Sequence, residues 1–382
     1  MPGPGIVEEV EEDTNEVQHE RGAAALDRKV LGRVRARAEL SPVSGSRRAS
    51  SLVPDASARE LKRKWTILVL TDSLGRVRFR LKMMSLRQLM DSFPSDGDCR
   101  QFLFARRWPK GVTCPRCGKA ENVYPLKKMP WRWECSNKEC RTGNAYRFSL
   151  TSGTVFENTK MALTTWFEVL WQMLNSKKGV SALQIQRQIK CGSYQTAWYM
   201  CHRLRAAMKD PDFQKLMGIV EVDETYIGGK NKNRHRGGKN DRRGQGHRGG
   251  MAAADKVPVI GAISRKGNVT CQILERVTAQ RMAGFVHEVV DSKVSLIATD
   301  EHHRLGRMGF PHGTVKHSKG EYVRGVVHTA NLDSFWALLK RGVVGTYHNV
   351  SRKYLPLYFA EFEFRHNNRK NPDVFGLAIA GR

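Results

Sequence analysis

The stretch Gly218–Gly229 constrains the chain most, because it reads as a β-strand with a carboxylate in its middle. Ile219, Val220, Val222, Tyr226 and Ile227 are β-branched or aromatic, and glycines bound the run. Asp223 sits at its centre. An unpaired charge buried in such a strand costs several kcal/mol, so a cation must meet it, either a Lys or Arg side chain or a metal ion. Ser295–Glu301 repeats the design: an apolar run ends in Asp300. A third acid, Asp333, lies in Asn331–Lys340, where apolar residues at 332, 335, 336 and 339 follow helical spacing. Two strand acids and one helix acid meet only if the strands are neighbours and the helix packs across them. Such a cluster would hold two divalent ions about 4 Å apart for in-line phosphoryl transfer. The bland alternative is that each acid is a surface or ion-paired residue.

Composition narrows the partners. At 382 residues the chain has room for two or three domains. It contains no run of 18 apolar residues, so no membrane span is expected. Met1 to Glu20 is acidic and does not read as a secretory signal. A net charge of +28 and a pI near 10.1 call for a polyanionic partner, and nucleic acid fits. Four of the eight cysteines cluster, while Cys99, Cys191, Cys201 and Cys271 are scattered. That usage suits a reducing cytoplasm, with the protein gathered on the nucleoid, and one metal site.

Residues 1–82 read as a poorly organised extension, acidic at first and then rich in Arg, Ala and Ser, with a short hairpin pattern near its end. It is expected either as a true segment or as an upstream extension of the reading frame. Residues 83–145 read as helix plus zinc ribbon. Cys114 and Cys117 form one tight pair, 17 residues intervene, and Cys135 and Cys140 form the second. Four thiolates at this spacing suit tetrahedral zinc in a closed, structural site. Arg116, Lys119, Lys127, Lys128 and Arg132 make the ribbon basic, which suits DNA contact.

Residues 146–212 read as helical. Leu163, Trp166, Phe167, Leu170, Trp171 and Leu174 mark an amphipathic helix whose aromatics belong to the core. A short helix to Ile189, the turn Lys190–Ser193 and a helix from Tyr194 to about Met208 follow the helix-turn-helix pattern. An ordinary antiparallel helix pair gives the same pattern. On the first reading, Gln195, Thr196, Tyr199, His202, Arg203 and Arg205 face outward toward base edges and phosphates.

Residues 213–382 read as the catalytic domain, interrupted by a Gly-rich basic insert over 229–255. Within the insert Lys230, Lys232, Arg234, Arg236, Lys239, Arg242, Arg243 and Arg248 stand against Asp241 alone, which suits a loop that orders on phosphate. Two strands about a turn at 265–268, a helix over 278–290 and the strand ending at Asp300 come next. Three antiparallel strands, a helical crossover and a fourth strand beside the first is the ribonuclease H-like layout. The expected fold class is therefore α+β or α/β, a ribonuclease H-like mixed sheet with flanking helices behind a zinc ribbon and a helix-turn-helix-like region.

From about Met84 onward the chain resembles the DDE-type insertion-sequence transposases with an N-terminal zinc ribbon. The resemblance rests on Arg107–Gly111, Val222–Gly229, Thr299–Glu301, Phe335–Gly342, Gly345–Ser351 and Glu361–Arg369. It implies a polynucleotidyl transferase that cuts and transfers its own element, with magnesium (or manganese) held by Asp223, Asp300 and Asp333. It also implies double-stranded DNA, both element ends and target, as partner, and a homodimer or higher assembly on that DNA. Glu224 and Glu301 follow catalytic positions, face away on a strand, and read as supporting residues. The chain departs from the family at Asp333, where glutamate is usual, and at Ala330, where asparagine is usual. The shorter side chain sets its carboxylate roughly 1.5 Å further back. A competing reading is therefore an impaired or repurposed zinc-ribbon and helix-turn-helix DNA-binding protein.

Overall fold

A computed structural model describes residues 69–71, 77–79, 85–141, 143–210, 213–228, 256–265, 267–300 and 309–380. Most of the N-terminal extension, the whole basic insert from 229 to 255, and Glu301 lie outside the described residues. Strands β1 (Val69–Thr71) and β2 (Val77–Phe79) pair antiparallel as a hairpin.

Helices α1 (Leu86–Ser92) and α2 (Asp96–Arg107) each begin with a capping box, set by Ser85 with Gln88 and by Ser95 with Asp98. Strands β3 (Val123–Pro125), β4 (Arg132–Cys135) and β5 (Tyr146–Ser149) form an antiparallel sheet. Trp133 on β4 meets Trp108 edge-on, with ring centres 5.0 Å apart, and lies parallel to Phe148 at 6.0 Å. These rings are the hydrophobic filling of a ribbon too small to build an ordinary core.

A helical layer follows. Helix α3 (Leu163–Asn175) buries Trp166, Phe167, Leu170 and Met173. It has no cap of its own, so Asp96 reaches across from α2 and accepts from the Leu163 backbone N–H at 2.5 Å. Helices α4 (Ala182–Ile189) and α5 (Tyr194–Ala207) are joined by a turn in which Lys190 and Gly192 take positive φ, 53° and 89°. Ser181 and Ser193 cap them, accepting from Gln184 and Thr196.

The main sheet carries β6 (Ile219–Ile227), β7 (Val257–Ser264), β8 (Val269–Ile273), β9 (Leu296–Thr299) and β10 (His312–Thr314) in the order β10-β9-β6-β7-β8. β6, β7 and β8 run antiparallel to one another. Helix α6 (Ala279–Val289) then crosses over, so that β9 returns parallel to β6, and β10 lies parallel to β9. The alternation of β6 divides the core. Val220 and Val222 join Ile260, Ala262, Ile297 and the α6 residues Met282, Phe285 and Val286. The other layer joins Ile227, Val259 and Ile263 to α7 (Ala330–Gly345) and α8 (Leu355–Asn367), through Leu332, Phe335, Trp336, Leu339, Tyr358 and Phe362. Helix α9 (Val374–Ala380) ends the described chain, placing Phe375 against Phe167 and Phe102. Among the described residues no helix is long and apolar enough to cross a membrane.

Two side chains of α8, one turn apart, serve the outer rim of β8. Glu363 accepts from the Cys271 N–H at 2.7 Å. Asn367 accepts from the Val269 N–H at 2.8 Å and donates to its carbonyl at 3.0 Å. Burial pushes the Glu363 carboxyl up to about 7, against the lowering effect of the Cys271 donation.

Helix α5 is tied to α8 by a buried ion pair, Arg205 Nε to Glu361 Oε2 at 2.8 Å. The Tyr347 hydroxyl donates to the same carboxylate. Removing one member of a buried pair strands the other, at about 3–5 kcal/mol. Glu361→Ala is therefore expected to lower the unfolding free energy by that amount in a denaturant titration. A loss below 1 kcal/mol would show that the pair does not hold α5 to α8.

Candidate active site

Asp223 lies on β6 opposite Gly261 of β7. A side chain at 261 would collide with the Trp336 ring, since a Cβ there would sit 2.6 Å from Cζ2. The glycine lets α7 settle onto the sheet, and the Trp336 indole N–H then donates to Asp223 Oδ2 at 3.0 Å. The parallel pairing of β6 and β9 matches Glu221 with Ala298. Asp223 and Asp300 each follow this pairing by two residues, and the Asp300 charge acts on the Asp223 carboxyl. Burial, followed by the charges of Asp300, Glu224 and Asp333, pushes the Asp223 carboxyl from 3.8 up to about 7. Asp300 Oδ1 is buried and has no hydrogen-bond partner among the described residues. Asp333 stands exposed in the first turn of α7, where Thr329 Oγ1 donates to its Oδ2 at 3.1 Å.

The three aspartates thus face one region from two neighbouring strands and a crossing helix. They remain looser than a closed ligand cage. Among the described residues only Cys114, Cys117, Cys135 and Cys140 bring three or more ligand atoms within 4.8 Å of one another. The donor chemistry still fits a divalent cation: a carboxyl raised by burial and then by its acidic neighbours, and a buried carboxylate oxygen without a hydrogen-bond partner among the described residues, are both relieved by positive charge.

Glu221 is not singled out by the sequence. Asp223 is the strand acid expected to meet a cation, whereas Glu221, two residues earlier on the same face, is fully buried and meets one, Arg265. Its Oε1 accepts from Arg265 Nε at 3.0 Å and from Asn331 Nδ2 at 2.7 Å, with His328 Nδ1 at 3.3 Å. Its Oε2 accepts from the backbone N–H groups of Asn331 and Leu332, at 3.0 and 3.1 Å. Glu221 therefore caps α7, whose own Thr329 makes no side-chain cap. The signal that singled out Asp223, an acid in an apolar strand, applied equally to Glu221.

On α5 the expected outward row divides. Gln195 and Tyr199 are exposed and Thr196 is half-buried. His202 is not a surface residue: it is only 7% exposed and packs against Trp198, Tyr354 and Tyr358. Burial, then the Arg205 charge, pushes it down to about 2, so it is neutral and buried. Arg205 is likewise turned inward, onto Glu361. Arg203 donates to the Glu157 carbonyl at 3.0 Å and lies over the Trp166 and Tyr199 rings. Lys230, Lys232, Arg234, Arg236, Lys239, Arg242 and Arg243 lie outside the described residues.

The four cysteines come together as the spacing predicts. Cys114 and Cys140 sulfurs are 3.7 Å apart, and those of Cys117 and Cys135 are 3.9 Å apart. Burial opposes the Cys117 thiolate, but donation from the Lys119 backbone and the sulfur and Asn137 contacts outweigh it and bring its pKa to about 7. Burial pushes the Cys114 and Cys140 thiols up, and four sulfurs gathered this closely are the donor set of a structural zinc.

Residues 94–143 match the transposase zinc-ribbon domain, and residues 215–367 match the ISXO2-like transposase domain. The transposase match spans Glu221, Asp223, Asp300 and Asp333, and ends at Asn367 on the β8 rim. A curated relative, an uncharacterized protein in transposable element ISH50 of Halobacterium salinarum, is 28% identical over 300 residues, covering 74% of this chain and 94% of the relative.

Asp223 yields a pH signature of the acid cluster. Its folded-state pKa is raised, so the fold favours its protonated form. That contribution is complete below about pH 4 and is lost as pH rises toward 7. Without added divalent ions, the stability of Asp223→Asn relative to wild type is expected to climb over this window, by at most about 1.4 kcal/mol per pH unit, and to level off above it. Denaturant titrations at stepped pH measure this; a flat difference would refute the crowding of acids. In the ribbon, Cys135→Ser is expected to release about one zinc per chain and to abolish the near-ultraviolet dichroism of the Trp108 and Trp133 pair. Retained metal and signal would refute the four-thiolate site.

Proposed function

We propose that this protein is a transposase that cleaves DNA at the ends of an insertion sequence and transfers the freed strands to target DNA. Its catalytic unit would be ribonuclease H-like, and Asp223, Asp300 and Asp333 would be its metal-holding acids. The observation that carries the reading is the raised Asp223 carboxyl, beside Asp300 on the parallel neighbour and Asp333 on the crossing helix. Acids are gathered at such cost where a function needs them.

Divalent magnesium or manganese, when bound there, supplies the positive charge that offsets the entering and leaving oxygens of an in-line displacement. The chain's own residues hold that site in shape. Trp336 orients Asp223, Thr329 orients Asp333, and Glu221 fixes the helix that carries Asp333 relative to the strand that carries Asp223. In the first step, water attacks the phosphorus at the element's end, the bond to the 3′-oxygen breaks, and that oxygen takes up a proton. In the second, the new 3′-hydroxyl attacks a target phosphodiester and displaces a target 3′-oxygen. The helix pair α4–α5 would act as a helix-turn-helix, with Gln195, Thr196 and Tyr199 toward the groove. The basic ribbon and the lysines and arginines of 230–243 would hold phosphates. The working form would be a dimer or larger assembly on DNA.

One observation favours a second reading. Asp333 is a methylene shorter than the glutamate usual in the family it resembles, and its carboxylate is engaged by Thr329. Magnesium tolerates little deviation from about 2.0–2.1 Å, so an impaired enzyme that still binds DNA is the alternative.

The test is transposition in cells from a donor carrying the gene's own flanking ends, with wild type, Asp223→Asn and Asp333→Glu. Wild type is expected to transpose and Asp223→Asn to fall to background. A silent wild type with an active Asp333→Glu would establish the fold and site and locate the impairment at one methylene. If none of the three transposes while the ends are bound, the DNA-binding reading replaces the enzyme.

A further inference from the structure

A cavity of about 270 Å³ is bounded by the end of β7, by α7 and by the end of α8. Ile263 and Phe335, each 3% exposed, and the half-buried Leu338 give it an apolar wall. Asn331 and Ser334 also line it and are exposed, so it opens to solvent along that side of α7. None of the three aspartates lines it, and no lining residue is acidic.

Two polar groups complete the lining. The His366 ring stands edge-on to Phe335, with ring centres 5.7 Å apart. Its Nε2 is buried and has no hydrogen-bond partner among the described residues. Burial, then the Arg369 charge, pushes His366 down to about 4, so near neutral pH it is an uncharged hydrogen-bonding ring. A buried polar atom left without a partner is costly, and a bound atom that pairs with it removes that cost. Arg369 is anchored: its Nη1 donates to the Gly267 carbonyl at 3.1 Å and to the His366 carbonyl at 2.7 Å. Both of these acceptors are neutral, so the two bonds fix the guanidinium and leave its charge in place. The polar hydrogens on the open side are committed elsewhere. Asn331 Nδ2 donates to Glu221 and Ser334 Oγ to the Ala330 carbonyl. His366 and Arg369 therefore decide what charge the cavity accepts.

An apolar wall beside a guanidinium and a neutral imidazole, with no acid among them, excludes a cation. A bare inorganic anion gains nothing from Phe335 and Leu338, and an uncharged hydrocarbon leaves His366 unmatched. The volume lies just below the range of about 300–1,000 Å³ in which drug-sized ligands are held, so the occupant is small. We propose that this cavity binds a small organic monocarboxylate, its apolar body against Ile263, Phe335 and Leu338 and its carboxylate toward His366 and Arg369. The site goes beyond the reading of the three acids, since no reaction enters it.

The experiment titrates the full, zinc-loaded chain with benzoate by calorimetry. The expected Kd is about 1 mM or tighter, within reach of a ligand of this size. A chain of net charge +28 attracts any anion weakly, so two further probes separate shape from charge. Benzamide, which keeps the ring and loses the charge, should bind at least about tenfold more weakly. Inorganic phosphate should give no comparable heat. Arg369→Gln, and Leu338→Trp, which fills the space, should each weaken benzoate about tenfold or more, while Lys370→Gln, beside the site and exposed, should not. In wild type, benzoate should slow amide hydrogen exchange within 331–338 and 366–369 and leave the ribbon unchanged, a readout that needs no variant to fold. Tighter binding of acetyl-phenylalanine than of benzoate would assign the carboxylate to a chain end; the reverse would assign it to a free acid. Absence of benzoate heat, equal affinity for benzamide, equal weakening in Lys370→Gln, or protection confined to other segments overturns the site.

Discussion

The architecture of the five-stranded sheet and its helices turns on a single buried carboxylate. Glu221 is the point at which the central strand grips the helix that crosses it. The N-terminus of α7 presents unsatisfied N–H groups and the positive end of a helix dipole to the interior. Glu221 meets two of those groups while Arg265 and Asn331 satisfy its remaining capacity. The charge is thus buried with nearly every acceptor site in use, the condition under which burying it is tolerable. Once α7 is fixed at that end, Trp336 falls over Gly261 one turn later, and the mutual position of Asp223 and Asp333 follows. Precision at the acids is inherited from a residue that is not one of them.

The acids themselves work against the fold. Asp223 is buried and, behind that, faces the charges of Asp300, Glu224 and Asp333, and its raised carboxyl records that strain. The surrounding structure compensates with rigid contacts: the Glu221 joint on one side, and on the other the buried Arg205–Glu361 pair that fastens α5 beneath α8. A strained site carried by an over-determined frame is the usual arrangement where local stability has been given up for chemistry.

Much of this was legible in the chain because it is local. Ser181 and Ser193 sit where side-chain capping demands them, and the cysteine spacing closes into four neighbouring sulfurs. The order of three antiparallel strands, a crossover and a parallel return could be read from turn signals and apolar periods. What sequence alone did not reveal depends on which neighbour a surface meets. Helix α5 has a conventional apolar face in Ala197, Met200, Cys201 and Leu204, so His202 and Arg205 read as solvent-facing. They are buried because α8, some 150 residues later, covers that second face. Period-3.6 reasoning finds one buried face and has no means of announcing another. Glu221 escaped for a similar reason: its partners lie 44 and 110 residues away.

The rim of β8 has a consequence for how molecules of this protein live together. An edge strand normally offers free N–H and C=O groups to any extended chain that drifts past. Here Glu363 and Asn367 occupy those groups from within, and at the opposite rim the short β10 has its Thr314 carbonyl taken by Arg324. The same helix that completes the core thus also shields the sheet's rim from pairing with another extended chain.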